Sequence, residues 1–428
     1  MNATGGRMEK NGTLLFGGLL LFSLSLALSK SATNIFIALI YLAVLFLATR
    51  YQSFRSIVMR NARQPLLLPL VLYLSAAVIG LLFTEHLADG LGITNKIVGL
   101  LLAYLMVSVL LDSLDNSETT YRNAEKLLLA FLIGIAVLNV IAFMTYLGLV
   151  GHKKFVLPLA PLNVHHIWFS NLNAIGLYAS AAFLLFSSRG RTTSGKVFFP
   201  ISMVFAVLCI LLSISRTAWF GTLLTALIMT YILMKNRKVF LITAVAGAAA
   251  CVLIYQHSPI VHDRINLIAS DISQYFSGNP FVYTSLGGRF LMWKVAIKMF
   301  LSNPLFGAGT GSFVPVMTKY IKSGELPEYL LAFNQPHNMY LFSLATNGLL
   351  GLSSLLYIFY RGLKFALPLL KSNGGERLLA FLAVATTIHF MIAGLTDSFF
   401  NIQILRYTFA FVMGVCVRNS LRDPNAGT

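Results

Sequence analysis

Apolar stretches recur along the chain at roughly 13–29, 33–49, 65–83, 97–111, 127–149, 167–187, 197–214, 218–234, 239–255, 337–360, 378–396 and 403–417, with short polar connections between most of them. A run of roughly 20 apolar residues spans the hydrocarbon of a bilayer as a helix. The pattern therefore predicts an all-α polytopic membrane protein with about twelve transmembrane helices. One interruption is much longer than the rest and divides the chain into three parts. Residues 1–255 hold helices 1–9, residues 256–336 form a large polar loop, and residues 337–428 hold helices 10–12 and a C-terminal tail. Within the loop, "GGRFLMWKVAIKMFLSNP" places Phe290, Trp293, Ile297 and Phe300 at helical spacing, with Lys294 and Lys298 between them. Gly288 precedes this stretch and Pro304 closes it, which predicts an amphipathic helix lying at the membrane surface.

Composition agrees: 57% of residues are hydrophobic and 11% charged, against roughly 25% charged in soluble domains. A formal charge of +18 raises nucleic acid as a partner, but no nucleic-acid-binding pattern accompanies it. Its distribution explains it instead. Arg50, Arg55, Arg60 and Arg63, then Arg189, Arg191 and Lys196, then Lys235, Arg237 and Lys238, and finally Arg361, Lys364, Lys371 and Arg377 fall in connections on one side of a twelve-helix count. The positive-inside rule assigns that side to the cytoplasm. Both termini then lie there, and residues 256–336 face the periplasm or cell exterior. The connection "DSLDNSETTYRNAEK" is net acidic, but the rule counts Lys and Arg. Cys209, Cys251 and Cys416 sit in apolar runs at unrelated spacings, giving neither a disulfide framework nor a thiolate metal site. The N-terminal apolar run imitates a secretion signal, and the span that follows it almost at once favours an uncleaved first helix.

Charged groups at a membrane edge are costly, so each needs a partner or a task. On the outer side, Arg216 sits in "LLSISRTAWFG", where two spans meet with almost no loop. Arg289 begins the predicted surface helix, and His337 begins the tenth span in "NQPHNMYLFSLATNGLLG". Asp397 and Arg406 flank the last tight turn. Each admits a plain structural reading. Arg216 can extend to the interface, although a tight outer turn favours an anionic ligand. Arg289 can belong to a basic helix face, and Asp397 and Arg406 can pair with one another. His337 can pack against an aromatic ring while Asn338 or Gln335 caps the helix.

As a set they suggest more. Guanidinium groups grip phosphate oxygens through forked, charge-assisted hydrogen bonds, and two suit a diphosphate. An imidazole can take a proton from a hydroxyl nucleophile near neutral pH. The outer acids, Glu85, Asp89, Asp263, Asp271, Glu325, Glu328 and Asp397, are scattered, so no carboxylate cluster for a metal is expected and no cofactor is implied. His165 and His166 adjoin the sixth span next to Trp168, where an interfacial role outweighs metal binding. Asn171 and Asn173 are weak candidates for lining a sugar path. "GAGTGSF" (307–313) lacks the Lys-Ser/Thr ending of a P-loop and predicts a turn.

These residues resemble a family. The run His337, Asn338, nine residues, Gly348, two residues, Gly351 fits a motif of the bacterial O-antigen ligases, which belong to a superfamily with O-antigen polymerases and some protein O-oligosaccharyltransferases. "SRTAW" with Arg216 and "GGRFLMW" with Arg289 are similar to that superfamily's two arginine segments. The resemblance implies a GT-C-like fold in the bacterial inner membrane with a periplasmic active site. It implies transfer of O-antigen polysaccharide from undecaprenyl diphosphate to a lipid A–core hydroxyl, without metal or ATP. His337 is then expected as catalytic base, Arg216 and Arg289 as diphosphate ligands, and Asn338, Arg406 and Asp397 as secondary residues. The expected partners are the lipid-linked donor, the lipid A–core acceptor and membrane lipids. A polymerase or a protein O-oligosaccharyltransferase would use the same donor. A secondary transporter would bury ion-coupling acids at mid-membrane, and the predicted spans hold almost none.

Overall fold

The computed structural model describes residues 3–114, 119–151, 156–161, 164–234, 236–277 and 282–421. Lys235, residues 115–118 of the acidic connection and the tail beyond 421 lie outside the described residues. Within them every regular element is helical. In chain order these are α1 (Ala3–Leu28), α2 (Lys30–Arg50), α3 (Gln52–Arg60), α4 (Leu67–Gly80), α5 (Leu87–Leu114), α6 (Thr120–Tyr146), α7 (His166–Phe186), α8 (Thr193–Leu212), α9 (Arg216–Leu233) and α10 (Arg237–His257). The polar segment follows with α11 (Pro259–Phe276), α12 (Ser285–Ser302) and α13 (Phe313–Lys322). The chain then returns to long helices with α14 (Met339–Leu369), α15 (Gly374–Ala393) and α16 (Gln403–Cys416).

Helix starts follow local chemistry. Ser29, Thr192, Ser215, Asn236, Ser258, Thr284 and Asn338 each occupy an extended N-cap position and accept a hydrogen bond from a backbone N–H of the first turn. Such caps satisfy donors that the helix itself cannot. Each apolar stretch read from the sequence falls on a helix. Among the described residues nine helices are long and apolar enough to cross a membrane, and the apolar segments Gly12–Leu28, Leu67–Gly80 and Gln403–Cys416 are shorter. This is a multi-pass membrane protein.

Burial separates central from peripheral helices. In the apolar window of α15, 78% of residues are buried, whereas α10 buries none. Ile35, Leu39, Leu42, Leu45 and Phe46 of α2 and Leu241, Ile242 and Val245 of α10 are exposed. That much outward apolar surface is stable against lipid and would be a liability in water. The centre is aromatic: Phe390 of α15 and Phe409 of α16 have ring centroids 4.9 Å apart and enclose Phe399 and Phe400.

The polar segment holds more structure than one helix. α11, α12 and α13 form a layer with its own core of Leu291, Met292, Val295, Met299, Phe313 and Met317, joined to Phe342 and Ala345 of α14. The buried face of α12 therefore differs from the sequence expectation. Leu291, Met292, Val295, Ala296 and Met299 point inward, while Ile297 is exposed and Phe290, Trp293 and Phe300 are only partly buried. Packing against α14 selected the small and flexible side of the helix, and on the other side Phe290 packs against Tyr275 and Trp293.

The turn expected at 307–313 is present and wedges into the bundle. Gly307, Gly309 and Gly311 all have positive φ (72°, 96° and 93°). α14 breaks at Gly348 (φ 60°, ψ −154°) to receive it. At that break the Ala345 carbonyl accepts from Ala308 N–H (2.9 Å), and Leu349 N–H donates to the Pro304 carbonyl (2.9 Å). The loop thus takes over a pairing that an unbroken helix would make between Leu349 and Ala345. Buried Thr310 completes the joint by donating to Ala77 O (2.7 Å) and accepting from Asn347 Nδ2 (2.7 Å).

A candidate active site where three distant segments meet

Arg216 is the first residue of α9, directly after Ser215, whose side chain caps Ala218 N–H. The turn before it is tight enough to force Ile214 to φ 54°, an uncommon state for a β-branched residue. Arg216 Nη2 lies 3.6 Å from Asp271 Oδ2 of α11. Asp271 is held in turn by Leu286 N–H (3.3 Å) at the start of α12. Arg216 Nη1 is buried and has no hydrogen-bond partner among the described residues.

Arg289 lies one turn into α12, after two buried glycines. It makes no ion pair among the described residues. Burial draws its pKa below the ordinary arginine value, opposed by Asp397 and reinforced by Arg216. A guanidinium still keeps its proton at neutral pH, so this is a charged donor waiting for an acceptor.

His337 stands immediately before the N-cap of α14, in a left-handed conformation with φ 51°. Its surroundings hold it there. Trp293 Nε1 donates to the carbonyl of Pro336 (2.9 Å), fixing the preceding peptide to α12. Asn338 accepts from Tyr340 N–H and Leu341 N–H (both 3.0 Å) and donates to Leu395 O (3.0 Å), so it caps α14 and ties it to the end of α15. Met339 N–H adds a bond to Gly394 O (2.8 Å). The ring itself meets Asp397: Nδ1 is 3.2 Å from Oδ1. That oxygen also accepts from Gln335 Nε2 (2.9 Å) and Ser398 N–H (2.8 Å). A carboxylate can only accept, so Nδ1 carries a proton, and in the neutral ring the lone pair is on Nε2.

Arg216, Arg289 and His337 line one cavity of about 370 Å³. Arg264 of α11, Tyr283, His165 and His166 share its walls, and no carboxylate is among the described lining residues. His166 Nδ1 bonds to Ser213 O (2.8 Å), beside the Arg216 turn. Burial keeps the pKa of His165 below the ordinary imidazole value, with Asp397 opposing and His337 reinforcing. Burial thus favours the neutral form of His165, and the arginines supply fixed positive charge to the cavity. Arg264, Tyr283 and Asp271 were not singled out from the sequence. The signal available was "HDRIN", an arginine and an acid in the polar segment, but only the fold of α11 turns Arg264 toward Arg216.

Two sequence expectations change. Asp397 and Arg406 do not pair. Asp397 faces His337, and Arg406 donates from Nη1 to Phe400 O (3.0 Å), with its guanidinium 5.0 Å from the Tyr407 ring. The turn after Asp397 carries the two residues to different sides of the loop before α14. Asn171 and Asn173 line no sugar path. Asn171 accepts from His389 Nε2 (2.9 Å) and Asn173 from Asn139 Nδ2 (2.8 Å), deep between helices. The rings of His165 and His166 lie 4.7 Å apart in the cavity wall.

Comparison with known proteins gives two similarities. An uncharacterized protein of Haemophilus influenzae is 29% identical over 161 residues, which cover 37% of this chain and 40% of that relative. Residues 201–358 match the family model described as O-antigen ligase. That range runs from α8 into α14 and contains Arg216, Arg289, His337, Gly348 and Gly351. This stretch, less than half of the chain, is thus similar to the O-antigen ligase family.

Proposed function

We propose that the protein is a glycosyltransferase that moves O-antigen polysaccharide from undecaprenyl diphosphate to a sugar hydroxyl of lipid A–core. The observation that carries this reading is the shared cavity of Arg216, Arg289 and His337, with His337 Nδ1 held by Asp397. The acceptor hydroxyl attacks the anomeric carbon and gives its proton to His337 Nε2. The bond from that carbon to the diphosphate oxygen breaks, and the diphosphate leaves with the electron pair. One displacement inverts the anomeric centre. Arg216 and Arg289, joined by Arg264, meet the charge that grows on the leaving group. Charge stabilisation of this kind is worth about 2.7–4 kcal/mol per donor, and a general base adds about 10²–10⁴-fold. With guanidinium groups facing the diphosphate, transfer needs no metal or nucleotide.

The same reading places twelve spans in the inner membrane in a GT-C-like arrangement, with residues 256–336 on the periplasmic face. Nucleotides are not supplied there, so a donor already activated as a lipid diphosphate suits the site. The test is reconstitution of the purified protein with lipid-linked O-antigen and rough lipopolysaccharide. Glycan joined to lipid A–core in the intact protein and lost in His337→Ala supports the reading. Elongation of the lipid-linked glycan without capping of core would replace it with a polymerase. Transfer to protein would replace it with a protein O-oligosaccharyltransferase.

A further inference from the structure

A second cavity, of about 640 Å³, lies on the other side of the residues that hold His337. Lys30 of α2, Lys96 of α5 and Arg406 of α16 line it, with Gln335 and Trp168 in the dividing wall. Gln335 donates to the same Asp397 oxygen that holds His337, and Trp168 stacks at 5.4 Å on His165 of the first cavity. The two cavities are therefore neighbours across one layer of side chains.

The cations of the second cavity meet aromatic rings rather than acids: Lys30 lies 4.5 Å from the Trp168 ring and Arg406 5.0 Å from the Tyr407 ring. Lys96 and Arg406 are close enough to repel one another. Neither they nor Lys30 makes an ion pair among the described residues. Arg406 is only 6% exposed, and its Nε is buried without a partner. A buried guanidinium with an unused donor is costly. The one acid in the lining, Asp89, is itself exposed to solvent.

We propose that this cavity binds a phosphate group carried on the acceptor glycolipid. A phosphate monoester carries about −1.5 to −2 at neutral pH and three acceptor oxygens. That matches two or three cations better than a single carboxylate would. Seated there, the acceptor reaches His337 from the side of Gln335, opposite the arginines that hold the donor. The inference rests on the transferase reading for what the bound lipid is for, but not for whether it binds.

The test uses full-length protein in lipid nanodiscs, carrying His337→Ala so that no transfer occurs. The probe is rough lipopolysaccharide before and after removal of its phosphates with hydrofluoric acid. Lys96→Gln, on a partly exposed residue, should weaken binding of the phosphorylated form at least fivefold and leave the dephosphorylated form unchanged. Lys30→Gln should act in the same direction. An equal effect on both forms, or none, overturns the proposal. So does weaker binding of undecaprenyl diphosphate in place of lipopolysaccharide, because the cavity would then serve the donor. Failure of the unsubstituted protein to transfer glycan would instead count against the function proposed above, and would leave this binding result standing.

Discussion

Asp397 Oδ1 lies 3.2 Å from His337 Nδ1 across sixty residues of sequence, and the same oxygen gathers Gln335 and Ser398 around it. The carboxylate sets both the tautomer and the plane of the ring. In Asp397→Asn the amide can present either oxygen or nitrogen to Nδ1, so the ring loses its fixed tautomer. We expect the turnover rate to fall at least about tenfold, within the roughly 10²–10⁴-fold range a general base supplies, with little change in KM for the donor. A loss confined to KM would assign Asp397 to binding.

Arg216→Lys keeps the charge but loses the fork. Its Nη2 contact to Asp271 leaves Nη1 free for a ligand, and a lysine cannot serve both. Transfer should drop about 10²-fold or more, on the scale of one lost donor to a developing charge. Asp271→Asn should cost less, since it weakens the aim of Arg216 and leaves the guanidinium in place. Parallel kinetics on the two variants check the order.

Trp293→Phe keeps an aromatic ring, though a smaller one, and deletes the indole hydrogen bond, leaving the Pro336 carbonyl unpaired next to His337. The stability loss should be about 1 kcal/mol, the net value of one such bond. Activity should fall several-fold because the peptide before His337 is no longer fixed. Thermal unfolding in detergent and transfer rates on the same preparation separate the two effects.

Gly348→Ala should fold poorly. The residue has φ 60°, and an added Cβ would collide with the carbonyl oxygens of Leu305 and Pro304. With ψ −154° this backbone lies in a region essentially restricted to glycine, which costs an alanine about 1–3 kcal/mol, and the collision is with backbone that cannot swing aside. We expect membrane yield to fall sharply. Normal yield and melting temperature would mean that α14 can straighten without its break.

The helical framework was legible because lipid imposes one rule, that backbone groups pair within the segment, and an apolar run satisfies it as a helix. That Arg216, Arg289 and His337 belong to one cavity was foreshadowed too, since an arginine in "SISRTAW" or a histidine in "NQPHNMY" has no cheap place in an apolar setting. The partnership of His337 with Asp397 was not. Asp397 and Arg406 stand nine residues apart and opposite in charge, which makes pairing the natural sequence inference. The 3₁₀ turn at Phe399–Asn401 separates them. The inward face of α12 was hidden because periodicity rewards the largest side chains, while packing against α14 chose Val295, Ala296 and Met299.

The glycine-rich wedge also bears on how such a protein can be rebuilt. At this joint the layer of α11–α13 and the bundle grip each other through main-chain carbonyls and amides, with Thr310 and Asn347 contributing side chains to the seam. Swapping residues 282–336 for those of a relative would thus transplant one half of a mortise without its tenon. A working chimera has to carry residues 304–311 and the 345–349 corner as a single unit, however the remaining surface is redesigned.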